Sequence, residues 1–246
     1  MPNKKIQRYR MHLNTATRVV AFVDIIGWKS AFDNPAIGHE GLVKIATWIS
    51  KHSKQFSLEK KKELREWDKN HIGKQLVIGR DYYDISFSFL SDSFIISASP
   101  NHLHSLFGVI QWDCMQLLQM HGLLTRGGIT MGEFTHDMSN DIVIGIPLNE
   151  AVAIERSTKM PRIVVESEVV KLAKQSLNCE QFIYYDGECS VLNITNRSTT
   201  EVWLRESKEQ IDTALNSDLS AYKKCKWKYI SEHLPRMNTT AKSKPV

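Results

Sequence analysis

The chain has 246 residues, 42% of them hydrophobic and 24% charged, the make-up of a globular protein with one principal core plus appendages. A formal net charge of +5 and a pI near 8.9 permit an anionic ligand such as a nucleotide without requiring one. No window approaches the roughly 18 uninterrupted apolar residues of a membrane span, and the basic start, residues 1–10, has no apolar stretch behind it, so a cytosolic (cytoplasmic) protein without a membrane span is expected. Cys114, Cys179, Cys189 and Cys225 are too scattered for a metal knuckle and too few for a disulfide framework, and they read as free thiols.

In chain order, residues 1–16 form a polar, basic extension. Residues 17–26 then read as a buried strand, because Val19 to Val23, Ile25 and Ile26 make a nearly continuous apolar run. Gly27 ends it. From Trp28 to about Ser53 the apolar spacing is helical, broken at Asn34-Pro35 and Gly38. A stretch at about 54–74, dense in Lys and Glu, reads as a charged helical insertion. Two strands follow, 82–90 and 93–98, around the polar turn Ser91-Asp92. Pro100 and Asn101 open an amphipathic helix striped by Leu103, Leu106, Phe107, Ile110, Cys114, Leu117 and Leu118, which Gly122 stops.

Residues 123–134 read as a strand, and Gly145-Ile146-Pro147 leads into a helix over about 148–157. A strand at 162–166, a short helix at 169–173 and short strands at 182–185 and 190–194 complete a body spanning 17–200. The order β-α-β-β-α-β predicts an α+β, ferredoxin-like split βαβ sheet with helices on one face. Residues 201–246 are C-terminal additions, with one helix over about 208–233 and a polar tail from Pro235.

The chemistry concentrates in few places. Asp24 stands inside an apolar strand two residues before Gly27, and a lone carboxylate there is costly unless something positive compensates it. A metal ion would do so, and the turn at Gly27 would aim backbone N–H groups at a bound triphosphate. A helix cap or a pair with an arginine would also satisfy Asp24. Asp92 sits in the turn between two strands that would adjoin the first; singly it reads as a turn former, but together with Asp24 it could hold two Mg²⁺ or Mn²⁺ ions about 4 Å apart, as in phosphoryl-transfer sites.

Four motifs carry a resemblance. Phe22-Val23-Asp24-Ile25-Ile26-Gly27-Trp28 resembles the first-strand motif of class III adenylate and guanylate cyclases, and Ser91-Asp92-Ser93-Phe94 resembles their Gly-Asp hairpin. Arg126-Gly127-Gly128-Ile129-Thr130-Met131-Gly132-Glu133 is similar to their Arg-x-Gly-Ile-x-x-Gly strand, and Gly145 to Ala151 to their helix-opening Gly-x-x-Val-Asn-x-Ala. The motifs fall in the family's order over about 17–166. The resemblance implies a nucleotidyl cyclase using two divalent ions, Mn²⁺ or Mg²⁺, with Asp24, Asp92 and the Ile25 carbonyl as metal ligands. It implies a homodimer with sites at the interface, where Asn149 orients the ribose from the partner subunit and Gly27, Trp28 and Arg126 contact the triphosphate.

Departures matter as well. Four positions after Asn149, where the family has its transition-state arginine, this chain has Ala153; Arg156, Lys159 and Arg126 are the nearby cations, and Arg156 is the favoured replacement. Four positions before Asp92, where adenylate cyclases carry a base-reading lysine, stands Ser88. A hydroxyl there suits a smaller base, as does the similarity to the pyrimidine cyclases of bacterial Pycsar anti-phage systems, which make cyclic CMP or cyclic UMP. The same departures motivate a catalytically silent nucleotide-binding module.

The histidines show no helical metal-ligand spacing, so no zinc site is expected. Trp112, Trp203 and Trp227 read as packing residues, and the lysines at 223, 224, 226 and 228 as a solvated helix face. A nucleic-acid partner is not expected: a sheet that reads RNA needs exposed aromatics on its inner strands, and the first strand reads as buried.

Overall fold

The structure is a computed structural model that describes residues 15–33, 37–56, 62, 84–195 and 201–242. Residues 1–14 of the predicted N-terminal extension, the predicted break at Asn34-Pro35, most of the charged insertion at 54–74 and the last four residues lie outside the described residues, as do Tyr82 and Tyr83.

The sheet is built on β1 (Ala16–Ile26). β1 pairs antiparallel with β3 (Ser93–Ala98) on one side and with the long β4 (Leu124–Asp137) on the other, and β2 (Ser86–Leu90) pairs outside β3. The strand order β2-β3-β1-β4, with α2 (Gly38–Lys54) between β1 and β2 and α3 (Leu103–His121) between β3 and β4, is the expected ferredoxin-like split βαβ arrangement. Beyond β4 the sheet continues through β6 (Ile163–Val165), β8 (Ser190–Leu192) and β7 (Ile183–Tyr185). β5 (Ile142–Ile144), a strand the sequence reading misses, hairpins onto the end of β4.

Alternation along β1 sets the two faces. Val19, Ala21, Val23 and Ile25 enter the main core with Leu42, Ile45 and Ile49 of α2 and Leu106, Phe107 and Ile110 of α3. Val20 belongs to a smaller cluster on the other face with Ile95 and Phe134, against which Phe22 and Leu148 pack. Asp24 follows them onto that face. The short α5 (Ser167–Gln175) joins the main core through Val169 and Ala173, whereas α4 (Ile146–Ser157) crosses the opposite face, so the helices are not all on one side.

Close approach of α4 explains the glycines of β4. A Cβ at Gly128 would lie 2.5 Å from the Ala151 carbonyl oxygen and 2.8 Å from Ile154 Cβ, and one at Gly132 2.8 Å from Pro147 Cγ. Thr130, between them, donates its hydroxyl to the Pro147 carbonyl at 2.6 Å. Side chains at 128 and 132 would lift the helix off the sheet.

The C-terminal region differs from expectation. In place of one helix over 208–233 there are two, α6 (Glu201–Asn216) and α7 (Ala221–Lys242), because the polar segment between them turns the chain: Ser217 Oγ bonds the Ala214 carbonyl and Ser220 Oγ accepts from the Lys223 N–H. The polar residues from Pro235 continue α7 to Lys242. α6 packs on α3, and burial of α3 extends beyond its predicted stripe, because Asp113 meets His52 of α2 at 2.7 Å and Gln111 donates to the Thr195 carbonyl at 2.9 Å. Trp112 meets Trp203 of α6 at 5.3 Å, and Ile230 and Leu234 of α7 share a cluster with Leu118, Leu124 and Ile211, against which Trp227 packs.

A buried polar clamp fastens α7. Asp186 accepts from the Tyr229 hydroxyl at 2.7 Å, from Arg162 Nη1 at 2.6 Å and from the Glu188 and Cys189 N–H groups at 3.0 Å. Burial works against the charge on Asp186, but these donors outweigh it and hold its carboxyl well below the usual range. Two outcomes are expected in urea denaturation. Gly128→Ala loses about 1–3 kcal/mol by overpacking against α4. Tyr229→Phe loses about 1.5–3 kcal/mol, the scale of one hydrogen bond to a charged group.

Candidate active site

Asp24 lies two residues from the end of β1, directly opposite Ser93 on β3 and Arg126 on β4. Asp92 occupies the hairpin just before Ser93, and its carbonyl accepts the Ile25 N–H at 2.8 Å, so the two predicted metal aspartates stand on joined segments at one end of the sheet. The hairpin is tight. Ser91 takes φ +57°, a left-handed conformation that costs a residue with a Cβ roughly 1–2 kcal/mol, and the Ser93 hydroxyl bonds back to the Leu90 carbonyl at 3.1 Å.

Arg126 Nε donates to Asp24 Oδ2 at 3.0 Å. The same nitrogen lies 2.5 Å from Oε1 of Glu155, which descends from the buried side of α4. Nε has one hydrogen and Asp24 takes it; Glu155 Oε1 is therefore an ion-pair partner without a hydrogen bond among the described residues. The Glu155 side chain is 6% exposed, Asp24 19% and Arg126 28%. Burial raises the Asp24 carboxyl above its ordinary value, Arg126 opposes the rise, and the Asp92 carboxylate adds to it. Glu155 is raised in the same way, first by burial, with Arg126 opposing and Asp24 and Asp92 adding. Two sides of the sequence reading meet here: Asp24 does pair with an arginine, and it also stands beside a second aspartate.

The other predicted residues are placed as follows. Gly27 turns the chain at φ +86° into α1 (Trp28–Ala31), a single helical turn. Trp28 packs edge-on to Phe89 at 6.3 Å, against the main core. The Ile25 side chain is in that core. Asn149, Ala153 and Arg156 are exposed on α4. At 100° per residue, Asn149 and Arg156 stand about 100–120° round the helix from Glu155, away from the Asp24 side. Ser88 Oγ bonds His136 Nε2 at 2.9 Å; His136 Nδ1 in turn bonds Ser97 Oγ at 2.9 Å, which accepts from Arg18 Nε at 3.0 Å.

Glu155 and Lys226 are participants that sequence reasoning missed. Pro147, Ala151 and Glu155 recur every four residues as the buried stripe of α4, and that spacing was the available signal for Glu155. Lys226, expected on a solvated face, lies over the Tyr222 ring at 4.6 Å and is close enough to Asp24 to favour its charged form.

A divalent cation fits this donor set. Asp24, Asp92 and Glu155 outnumber the two cations felt at Asp24, Arg126 and Lys226, and among the described residues Glu155 Oε1 is a buried acceptor without a hydrogen bond. Among the described residues no group of three His, Cys, Asp or Glu side chains is arranged to enclose a metal ion, so protein ligands alone would not complete the coordination. Mg²⁺ is commonly held in this incomplete way, by one or two carboxylates plus substrate phosphates. No described helix is long and apolar enough to cross a membrane.

No protein-family model and no curated protein matches the chain. Solved structures do resemble it. An adenylyl cyclase from P. aeruginosa is 16% identical, with 73% of this chain and 94% of that one covered and a TM-score of 0.42. A bacterial light-regulated adenylyl cyclase is 12% identical, covering 81% of this chain and 98% of that one at a TM-score of 0.45. A dimeric guanylyl cyclase domain of a RhoGC fusion protein from the aquatic fungus Blastocladiella emersonii is 11% identical, covering 72% and 96% at 0.42. The fold itself is fixed by strand order and register, and the site by this chain's own residues.

Because burial raises the Asp24 carboxyl, its charged form weakens the fold: below its unfolded pKa near 4 there is no penalty, and the penalty appears as pH rises through the folded value. Asp24→Asn is therefore expected to melt higher than the parent at pH 7–8 without divalent cations, with the difference vanishing toward pH 4. A mutant that melts lower at pH 8 contradicts this electrostatic account.

Proposed function

We propose that the protein is a nucleotidyl cyclase that converts a nucleoside triphosphate into a 3′,5′-cyclic monophosphate and diphosphate. The observation that carries the reading is the joining of Asp24 and Asp92 at one end of the sheet beside Arg126, an electrostatic arrangement suited to a polyphosphate and its counter-cations. In the reaction the ribose 3′-oxygen forms a bond to the α-phosphorus, the bond from that phosphorus to the diphosphate oxygen breaks, and the hydroxyl proton is released. Asp24, Asp92 and the Ile25 carbonyl would hold two divalent ions, Mn²⁺ or Mg²⁺, which when bound would supply acidification of the hydroxyl and neutralisation of the leaving group.

The remaining work falls to the chain. Arg126 receives phosphate oxygens, the backbone at Gly27 and Trp28 borders them, Asn149 orients the ribose, and Arg156 offsets charge on the reacting phosphate in place of an arginine at 153. The position of Asn149 and Arg156, turned away from Asp24 on their own chain, supports a homodimer in which each subunit completes its partner's site. Ser88 in the base-reading position supports a pyrimidine substrate, UTP or CTP, and with it a cyclic-nucleotide signal in anti-phage defence.

A second reading has its own support. Arg126 occupies Asp24 Oδ2 and residue 153 is alanine, which suits a silent nucleotide-binding module. Incubation with each of the four triphosphates and Mn²⁺ separates the two. The cyclase reading expects cyclic product and diphosphate, most from UTP or CTP, and a drop of roughly 10²–10³-fold in Asp24→Ala and Asp92→Ala, the scale of losing one electrostatic contact to a transition state. A triphosphate that raises the melting temperature with no turnover favours the silent module.

A further inference from the structure

Arg126 uses only one edge in the contacts described. Its Nε meets both Asp24 and Glu155, while neither terminal nitrogen has a hydrogen-bond partner among the described residues, and the side chain remains 28% exposed. A guanidinium whose Nε edge faces carboxylates, one by a hydrogen bond and one by charge, leaves its outer fork free, the geometry that binds phosphate oxygens in pairs. Glu155 grips from a fixed place: it is 6% exposed, and the helix that carries it lies directly on Gly128, two residues along β4 from Arg126. Asp24 is the less constant partner, since the proposed function requires its carboxylate for cations.

We propose that Glu155 is the positioning residue of this site, holding the Nε edge of Arg126 so that its two terminal nitrogens face outward for the polyphosphate. The assignment rests on the proposed function and extends it to a residue with no place in the sequence reading of the site. It also predicts an effect opposite in sign to simple electrostatics. Removing a negative charge near an anion site ordinarily strengthens anion binding. Removing the group that orients the binding guanidinium weakens it.

The test is the affinity of inorganic triphosphate, measured by calorimetry on the full chain and on Glu155→Gln, Arg126→Gln and the double variant, with melting curves on each. Glu155→Gln is expected to bind about tenfold more weakly, a change of about 1.4 kcal/mol. The double variant is expected to bind no more weakly than Arg126→Gln alone, because the two residues act as one unit. Unchanged or tighter binding by folded Glu155→Gln overturns the proposal, as do losses that add in the double variant. Should Glu155→Gln not melt cooperatively, Glu155→Asp, which keeps the charge but shortens its reach, decides by the same criterion. Wild-type affinity in Arg126→Gln removes the phosphate site and this proposal with it. Triphosphate binding through Arg126 and Glu155 without cyclisation of any nucleotide leaves the proposal standing and defeats the cyclase reading.

Discussion

A single guanidinium stands between two carboxylates that fold buries for different reasons. Asp24 is carried inward by the central strand and Glu155 by a helix that crosses the sheet's other face, and Arg126 reaches both through the same nitrogen. Each carboxylate is disfavoured by loss of water, and each would repel the other without the cation between them. The end of the sheet is thereby left with clustered carboxylates and with the terminal nitrogens of Arg126 unengaged among the described residues, a state that divalent cations and a polyphosphate would together relieve. In the proposed function Asp24 would serve that site at the expense of stability, since burial disfavours its charged form.

What permits the arrangement is the closeness of α4 to β4. Two glycines remove the side chains that would hold the helix away, and Thr130 between them ties its hydroxyl to the first turn. The helix then offers one side to the sheet, through Pro147, Ala151 and Glu155, and another to solvent, through Asn149 and Arg156. Groups on the same short helix are thus directed to different places. This is the physical basis for expecting a second subunit to bring them into use.

The C-terminal helices add a layer that the central split βαβ unit does not require. α6 closes over α3, and α7 is fastened at Asp186 by Tyr229, the hydroxyl joining a carboxylate already held by Arg162 and two backbone N–H groups. Trp227 and Ile230 of α7 pack in the cluster that includes Leu124 and Ile26, at the strand ends next to the two aspartates. That packing carries Lys226 toward Asp24 and supplies the second positive charge felt there.

The order of the main strands and helices, the hairpin at Ser91-Asp92 and the stop at Gly122 were legible in the residues, because apolar periodicity and turn chemistry are local properties. So was the oddity of a carboxylate at position 24 inside an apolar strand. Local pattern could not register β5, a three-residue strand defined only by its partner, whereas the Asn216 to Ser220 turn that divides the C-terminal region into two helices is local turn chemistry that the sequence reading passed over. The residues could not fix the packing of the elements either. Nor could they say which side of the sheet α4 would take. The fold alone decided that Glu155 and Arg126 meet, and that Lys226 approaches Asp24 from far along the chain, since both depend on register and helix packing between segments distant in sequence.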